Sequence, residues 1–104
     1  MKIDHIALQG ADIFDAMAWY CDNFDAKCQY IDSSWALLEF SNTKIALVLP
    51  RDHQNHIAIE VNPEKYPDLE FKRHRDGSNY HYLQDPWGNC VELINYGRNS
   101  GENP

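Results

Sequence analysis

The sequence carries little positive charge. Lys and Arg together number 9 against 16 Asp and Glu, which gives a formal net charge of −7 at pH 7. A protein that binds the phosphate backbone of a nucleic acid needs a patch of basic side chains, and anionic membrane surfaces attract basic segments for the same reason. We therefore expect neither a nucleic acid nor a membrane as a partner.

The sequence also lacks paired cysteines and long apolar runs. Cys21, Cys28 and Cys90 form no C-x-x-C pair, and their odd number does not fit a disulfide framework. We interpret them as buried small hydrophobic side chains in a reducing compartment. No apolar run is long enough to span a bilayer, and no signal peptide is recognisable. These absences predict a cytoplasmic protein, and a length of 104 residues predicts one domain.

A short phrase that occurs twice is the most informative feature that the sequence does contain. The phrase DHIAL at residues 4–8 returns as NHIAI at residues 55–59, and the two histidines are 51 positions apart (56 − 5). A repeat at this spacing indicates a duplicated module. Paired histidines on equivalent strands can meet across a pseudo-two-fold axis and share one metal ion. His5 and His56 are therefore candidate metal ligands.

Hydrophobic periodicity predicts similar elements in both modules. In the first module, residues 1–50, we predict strands at 2–8, 27–31, 35–40 and 44–49, and a helix at 13–24 with Asp12 as its N-cap. In the second module, residues 55–96, we predict strands at 56–61, 70–75, 80–84 and 90–96, and a weak helix at 63–69. Residues 97–104 are predicted to form a flexible tail.

The second repeat strand alternates two kinds of side chain. His56, Ala58 and Glu60 alternate with Ile57, Ile59 and Val61, so the two sets lie on opposite faces of a strand. We expect the aliphatic set to pack beneath the helices. His5 and His56 then lie on the opposite face, where the alanine two residues after each histidine leaves room for a ligand.

A turn near the end of the chain allows strand pairing to be counted. Asp85-Pro86-Trp87-Gly88 is typical of a type I turn. If Gly88 completes a three-residue hairpin loop, Tyr82 lies opposite Glu92, and both share a face with Tyr80. A carboxylate in a strand that otherwise looks buried requires a partner. Two histidines and one carboxylate are a donor set for Fe(II), Mn(II) or a related divalent ion.

These motifs resemble the vicinal oxygen chelate superfamily, which includes glyoxalase I, the fosfomycin- and bleomycin-resistance proteins and the extradiol dioxygenases. The resemblance covers residues 1–96 as a single domain and is most specific at the phrase DPWGNCVEL, residues 85–93. It implies that His5, His56 and Glu92 bind a divalent metal ion (Fe, Mn, Ni or Zn). It also implies that Tyr82 contacts the substrate and that the protein is a homodimer.

The sequence departs from this superfamily at one ligand position. Glyoxalase I has a second glutamate where the repeat aligns Ala46. If residues 42 and 43 form a two-residue hairpin loop, Glu39 pairs with Ala46 and becomes a candidate general base. Trp35 shares the face of Glu39, and with Tyr80 and Tyr82 it is a candidate substrate-binding residue.

The predicted fold class is α+β, in which two β-α-β-β-β modules form a cupped mixed sheet with helices outside and a short second helix. The predicted function is that of a metal-dependent lyase, isomerase or dioxygenase. Such an enzyme chelates a small oxygenated substrate and stabilises an oxyanionic intermediate. The alternative is a non-catalytic protein that sequesters a small molecule, as the bleomycin-resistance proteins do.

Overall fold

The structure, a computed structural model, describes residues 1–97. Most of the predicted tail, residues 98–104, lies outside the described residues. The elements are strands β1 (Lys2–Gln9), β2 (Lys27–Ile31), β3 (Trp35–Glu39), β4 (Lys44–Val48), β5 (His56–Glu60), β6 (Lys72–Arg73), β7 (Asn79–Gln84) and β8 (Cys90–Asn95), and helix α1 (Ile13–Asn23). The strand order is β2-β3-β4-β1 in the first half of the chain and β5-β8-β7-β6 in the second half.

The chain divides into two compact units. The first unit is His5–His56, and the second combines Met1–Asp4 with the residues from Ile57 onward. In the first unit β1 pairs with β4 in parallel, while β2–β3 and β3–β4 are antiparallel. In the second unit β6–β7 and β7–β8 are antiparallel. Within residues 1–97 no helix combines the length and apolar character that crossing a membrane requires.

Helix α1 begins and packs as its sequence predicts. The Asp12 side chain accepts a hydrogen bond of 3.0 Å from the backbone N–H of Asp15, which satisfies one of the free donors of the first turn. Ile13 and Met17 lie one turn apart and are buried. They pack in a core cluster with Ala36, Leu38 and Leu47 of β3 and β4.

The other face of β1 and β4 carries small side chains. Ala7 and Ala46 are paired across the two strands and are buried together with Val48. Leu8 instead packs against the cluster under the helix. Because His5 and Ala7 are two residues apart in one strand, they share a face. The first module therefore confirms the predicted separation of the histidine face from the helix-covered face.

The second module differs from its prediction because it contains no α-helix. In place of the helix predicted at 63–69 there is a 3₁₀ turn at Pro63–Lys65, capped by the side chain of Asn62. The strand predicted at 70–75 is reduced to Lys72–Arg73. Among the described residues of this unit no α-helix covers β5, and Ile57 is 37% exposed, whereas His56, Ala58 and Glu60 are buried. The prediction that the aliphatic set packs beneath a helix was wrong for Ile57.

Two further predictions need correction. The turn between β3 and β4 lies one residue earlier than predicted: the backbone N–H of Phe40 donates to the carbonyl of Thr43, so residues 41 and 42 form the loop. Glu39 therefore pairs with Lys44, and Leu37 takes the place opposite Ala46. The cysteines are also less buried than predicted: Cys21 and Cys28 are exposed and Cys90 is half-buried. Cys28 is exposed because it lies on β2, which is an edge strand.

Candidate metal centre

His56 is buried and is held by a hydrogen bond to the backbone. Its side chain is 7% exposed, and its Nδ1 lies 2.7 Å from the backbone carbonyl oxygen of Gln54. A carbonyl only accepts hydrogen bonds, so this contact places the proton of a neutral imidazole on Nδ1. The lone pair then lies on Nε2, which is the form in which an imidazole binds a metal ion.

His5 lies beside His56. The two ring centroids are 6.0 Å apart, and the ring planes make an angle of 70°. The residue that begins β5, His56, thus faces the first repeat strand, as the repeated phrase predicts. A third histidine, His53, lies 6.2 Å from His56 between ring centroids, but it does not belong to the group that could hold a metal ion.

Glu92 supplies the carboxylate of the candidate centre. It lies in β8 and is 2% exposed. His5, His56 and Glu92 each offer one ligand atom, and these atoms all lie within 4.8 Å of one another. Two imidazole nitrogens and one carboxylate oxygen suit a divalent first-row metal ion. The donor set and its burial therefore fit such an ion.

The hairpin that presents Glu92 has the predicted geometry. The N–H of Asp85 donates to the carbonyl of Asn89, and the N–H of Gly88 donates to the carbonyl of Asp85. Gly88 has a φ of 87°, in the left-handed region that glycine adopts without strain. This loop sets Tyr82 opposite Glu92, so the count made from the sequence is confirmed.

Tyr82 and Tyr80 line the face of Glu92. Their ring centroids are 5.4 Å apart in an edge-to-face arrangement. Burial, reinforced by the negative charge of Glu92, raises the pKa of the Tyr82 phenol far above its usual range. Tyr82 is therefore a protonated hydrogen-bond donor at every physiological pH.

Trp35 and Glu39 have other neighbours in the first unit. Trp35 stacks on Tyr30 with 4.8 Å between ring centroids. Glu39 is exposed, and its strand partner is Lys44. Neither residue belongs to the group of potential metal ligands.

One residue at this site was missed in the sequence. The Nε2 of His74 lies 2.8 Å from Oε2 of Glu92, and the His74 ring stacks on Tyr80 with centroids 3.7 Å apart and a plane angle of 13°. A signal was available in Asp76-Gly77. A three-residue loop that ends in a left-handed glycine sets His74 opposite Ser78, and the same count places Lys72 opposite Tyr80, as observed.

Comparison with solved structures identifies the fold. A glyoxalase/bleomycin resistance protein/dioxygenase superfamily member from Vibrio splendidus matches with a TM-score of 0.69 and 14% identity, over 90% of this chain and 97% of that chain. A variant of Streptomyces coelicolor methylmalonyl-CoA epimerase, in complex with 2-nitronate-propionyl-CoA, matches with a TM-score of 0.70 and 17% identity, over 100% and 99%. A hypothetical protein from Bacillus halodurans matches with a TM-score of 0.69 and 18% identity, over 98% of each chain.

No protein-family model and no curated protein matches the sequence. At the identities of the structural matches, the likeness shows the fold alone. The chain has the fold of glyoxalase/bleomycin resistance/dioxygenase superfamily proteins, which confirms at this level the resemblance seen in the sequence motifs.

Proposed function

We propose that this protein is a divalent-metal-dependent enzyme of the lyase or isomerase kind that acts on a small oxygenated substrate. The proposal depends chiefly on one observation: two imidazoles and a buried carboxylate bring their ligand atoms within 4.8 Å of one another. His5, His56 and Glu92 would hold the ion, which would be Fe, Mn, Ni or Zn. When bound, such an ion supplies Lewis-acid polarisation of substrate oxygens.

The chain's own residues would orient the substrate. Tyr82 stands opposite Glu92 and keeps its proton, so it would donate a hydrogen bond to a substrate oxygen. Tyr80 would form an apolar wall beside it. This arrangement favours a flat or small substrate with at least two oxygens, because a substrate that reaches both the ligand group and Tyr82 must carry an acceptor for each.

Elemental analysis of the tag-free protein tests the metal site. The wild type should contain, or take up on loading, about one equivalent of a divalent metal ion, and His56→Ala and Glu92→Gln should lose it. Glu39→Gln is the matched control, since Glu39 is a strand glutamate that pairs with Lys44 and lies outside the ligand group. A wild type that stays empty with Fe, Mn, Ni and Zn in turn would refute the proposal.

The reaction class needs a separate assay. The loaded protein is incubated in D₂O with a panel of small α-hydroxycarbonyl and β-dicarbonyl compounds, and deuterium incorporation beside the carbonyl is followed by NMR. Metal-dependent exchange that Glu92→Gln abolishes would support an isomerase or lyase. The same experiment with Glu39→Gln asks whether this residue acts as the base, which is still a prediction from the sequence.

A sequestering protein is the second candidate function. It is favoured by a row of three aromatic rings near Glu92: the His74 ring stacks on Tyr80, and Tyr80 contacts Tyr82 edge to face. A protein of this kind would bind a flat aromatic ligand by stacking. Ligand affinity measured by tyrosine fluorescence would then survive removal of metal by a chelator, whereas an enzyme that binds its substrate through the metal would lose it.

We further propose that the protein is a cytoplasmic homodimer and that residues 1–96 of each chain form one functional domain. The dimer is supported by exposed apolar side chains, since Ile3 is 50% exposed and Trp19 is 55% exposed. The absence of cysteine pairing in the sequence fits a reducing compartment. Sedimentation equilibrium should give twice the chain mass of 12.1 kDa, and a value of one chain mass would rule out the dimer.

A further inference from the structure

The buried carboxylate of Glu92 is held by His74, which lies between β6 and β7. His74 Nε2 and Glu92 Oε2 are 2.8 Å apart, and the two side chains are 29% and 2% exposed. His74 is 18 residues away in the sequence, so the contact depends on the folded hairpin and not on chain proximity. The nitrogen donates, because a carboxylate at neutral pH only accepts.

The position of His74 is itself fixed from two sides. Its backbone N–H donates to the carbonyl of Ser78 at 2.8 Å, and the N–H of Gly77 donates to the carbonyl of His74 at 3.0 Å. The imidazole lies flat on Tyr80, with 3.7 Å between centroids. A ring held by its backbone and by a stacked neighbour has little freedom to turn, so it can hold the carboxylate in one orientation.

This contact leaves Glu92 able to bind a cation. Each carboxylate oxygen has two lone pairs, so an oxygen that accepts one hydrogen bond can still donate its second pair to a metal ion. Carboxylates that bind metal ions are commonly held by hydrogen bonds from groups that do not touch the metal. His74 has the geometry of such a group, and it is not among the potential ligands themselves.

We propose that His74 is a positioning residue that orients the Glu92 carboxylate for a divalent metal ion. The inference rests on the metal site proposed above. It adds a residue outside the His-His-Glu set whose loss should weaken metal binding although it makes no bond to the metal. Tyr80 contributes to the same task because it supports the imidazole.

Calorimetric titration of the metal-free protein with Mn²⁺ tests the proposal. His74→Leu removes the donor and keeps an apolar side chain against Tyr80, and we expect its Kd to rise about tenfold to hundredfold. His74→Gln restores an N–H donor, so it should recover most of that affinity. His81→Leu is the matched control: the His81 ring contacts Phe71, and its Nδ1 lies 2.9 Å from the carbonyl of Glu70. Its Kd should equal that of the wild type.

Urea unfolding of the same metal-free variants separates positioning from folding. A residue that only stabilises the fold would lower the unfolding midpoint without a change of Mn²⁺ affinity in the folded protein. If His74→Leu does not fold, Tyr80→Leu provides the test, since it removes the stacking support and leaves the imidazole in place. Weaker Mn²⁺ binding by Tyr80→Leu would support the proposal, and unchanged binding would overturn it.

The outcomes distinguish this inference from the metal site on which it rests. No Mn²⁺ binding by the wild type would refute both. Wild-type binding with an equal Kd in His74→Leu would refute the positioning role and leave the metal site standing. Tighter binding by His74→Leu would mean that the imidazole competes with the metal for Glu92, which also contradicts the proposal.

Discussion

At the scale of single residues, the environment of a side chain decides its chemistry more than its type does. Glu39 and Glu92 are both strand glutamates, but Glu39 is exposed opposite Lys44, whereas Glu92 is buried against His74. An unpaired buried carboxylate is costly. A glutamate in an otherwise apolar strand therefore predicted a ligand site from the sequence alone. Its hydrogen-bond partner, His74, could be identified only from the structure.

Tyr82→Phe should weaken substrate binding without loss of metal. A phenol is protonated at neutral pH, and burial and the charge of Glu92 raise the pKa of this one further. Removal of its hydroxyl therefore deletes one hydrogen bond, worth about tenfold in affinity. The measurement is KM or Kd for a compound that the exchange assay identifies, with metal content determined in parallel. Tyr80→Phe keeps the ring and is the control. Equal effects of the two substitutions would argue against a specific role of the Tyr82 hydroxyl.

Cys90 should react with iodoacetamide more slowly than Cys28. Burial, with a further contribution from the charge of Glu92, raises the pKa of the Cys90 thiol, and a raised pKa lowers the fraction of reactive thiolate at pH 8. Cys28 is exposed on β2. Peptide mass spectrometry after timed alkylation of the native protein gives both rates. Faster modification of Cys90 would show that its surroundings differ from those described.

At the scale of elements, loops with a glycine signature could be predicted and loops without one could not. The residues of the Asp85–Gly88 turn predict a loop of three residues. Counting outward from that loop places Tyr82 opposite Glu92, as observed. The loop after β3 has no glycine, and the register predicted there was wrong by two residues along one strand. The prediction of a second helix was wrong for another reason. Proline disrupts a helix interior, and between the prolines at 63 and 67 the chain forms only one 3₁₀ turn.

Gly88→Ala should destabilise the hairpin that carries Glu92. A Cβ at this position would meet nothing within 4 Å, so the cost comes from the backbone φ of 87°. We expect a loss of about 1–2 kcal/mol in the free energy of unfolding, measured by urea denaturation. Gly88→Asn is the comparison, because asparagine tolerates the left-handed region and should lose less. Equal stability of Gly88→Ala and the wild type would contradict the turn described.

At the scale of the whole molecule, the repeat predicted two similar modules and the pair of histidines, but the two modules differ in their helices. The first module has a helix with a cluster of buried residues beneath it, while among the described residues the second has only the 3₁₀ turn at Pro63–Lys65. A repeated phrase indicates that two strands are equivalent. It does not show whether the helix that follows the first strand also follows the second. The exposure of Ile57 is the physical consequence.

Metal binding should stabilise the folded protein as a whole. A ligand that binds only the folded state adds about 2.7 kcal/mol at a hundredfold excess over its Kd. Thermal unfolding of the wild type should therefore shift upward with added Mn²⁺, and Glu92→Gln should show no shift. Added Mg²⁺, which prefers oxygen ligands, is the control ion and should have a smaller effect. A shift that persists in Glu92→Gln would place the stabilising ion elsewhere.

Anomalous diffraction from a crystal grown with Mn²⁺ would locate the metal ion directly. We expect one strong peak at bonding distance from a ring nitrogen of His5, Nε2 of His56 and a carboxylate oxygen of Glu92, with His74 still donating a hydrogen bond to that carboxylate. A crystal in which these three side chains bind no Mn²⁺ at full loading, or in which the peak lies away from them, would contradict it.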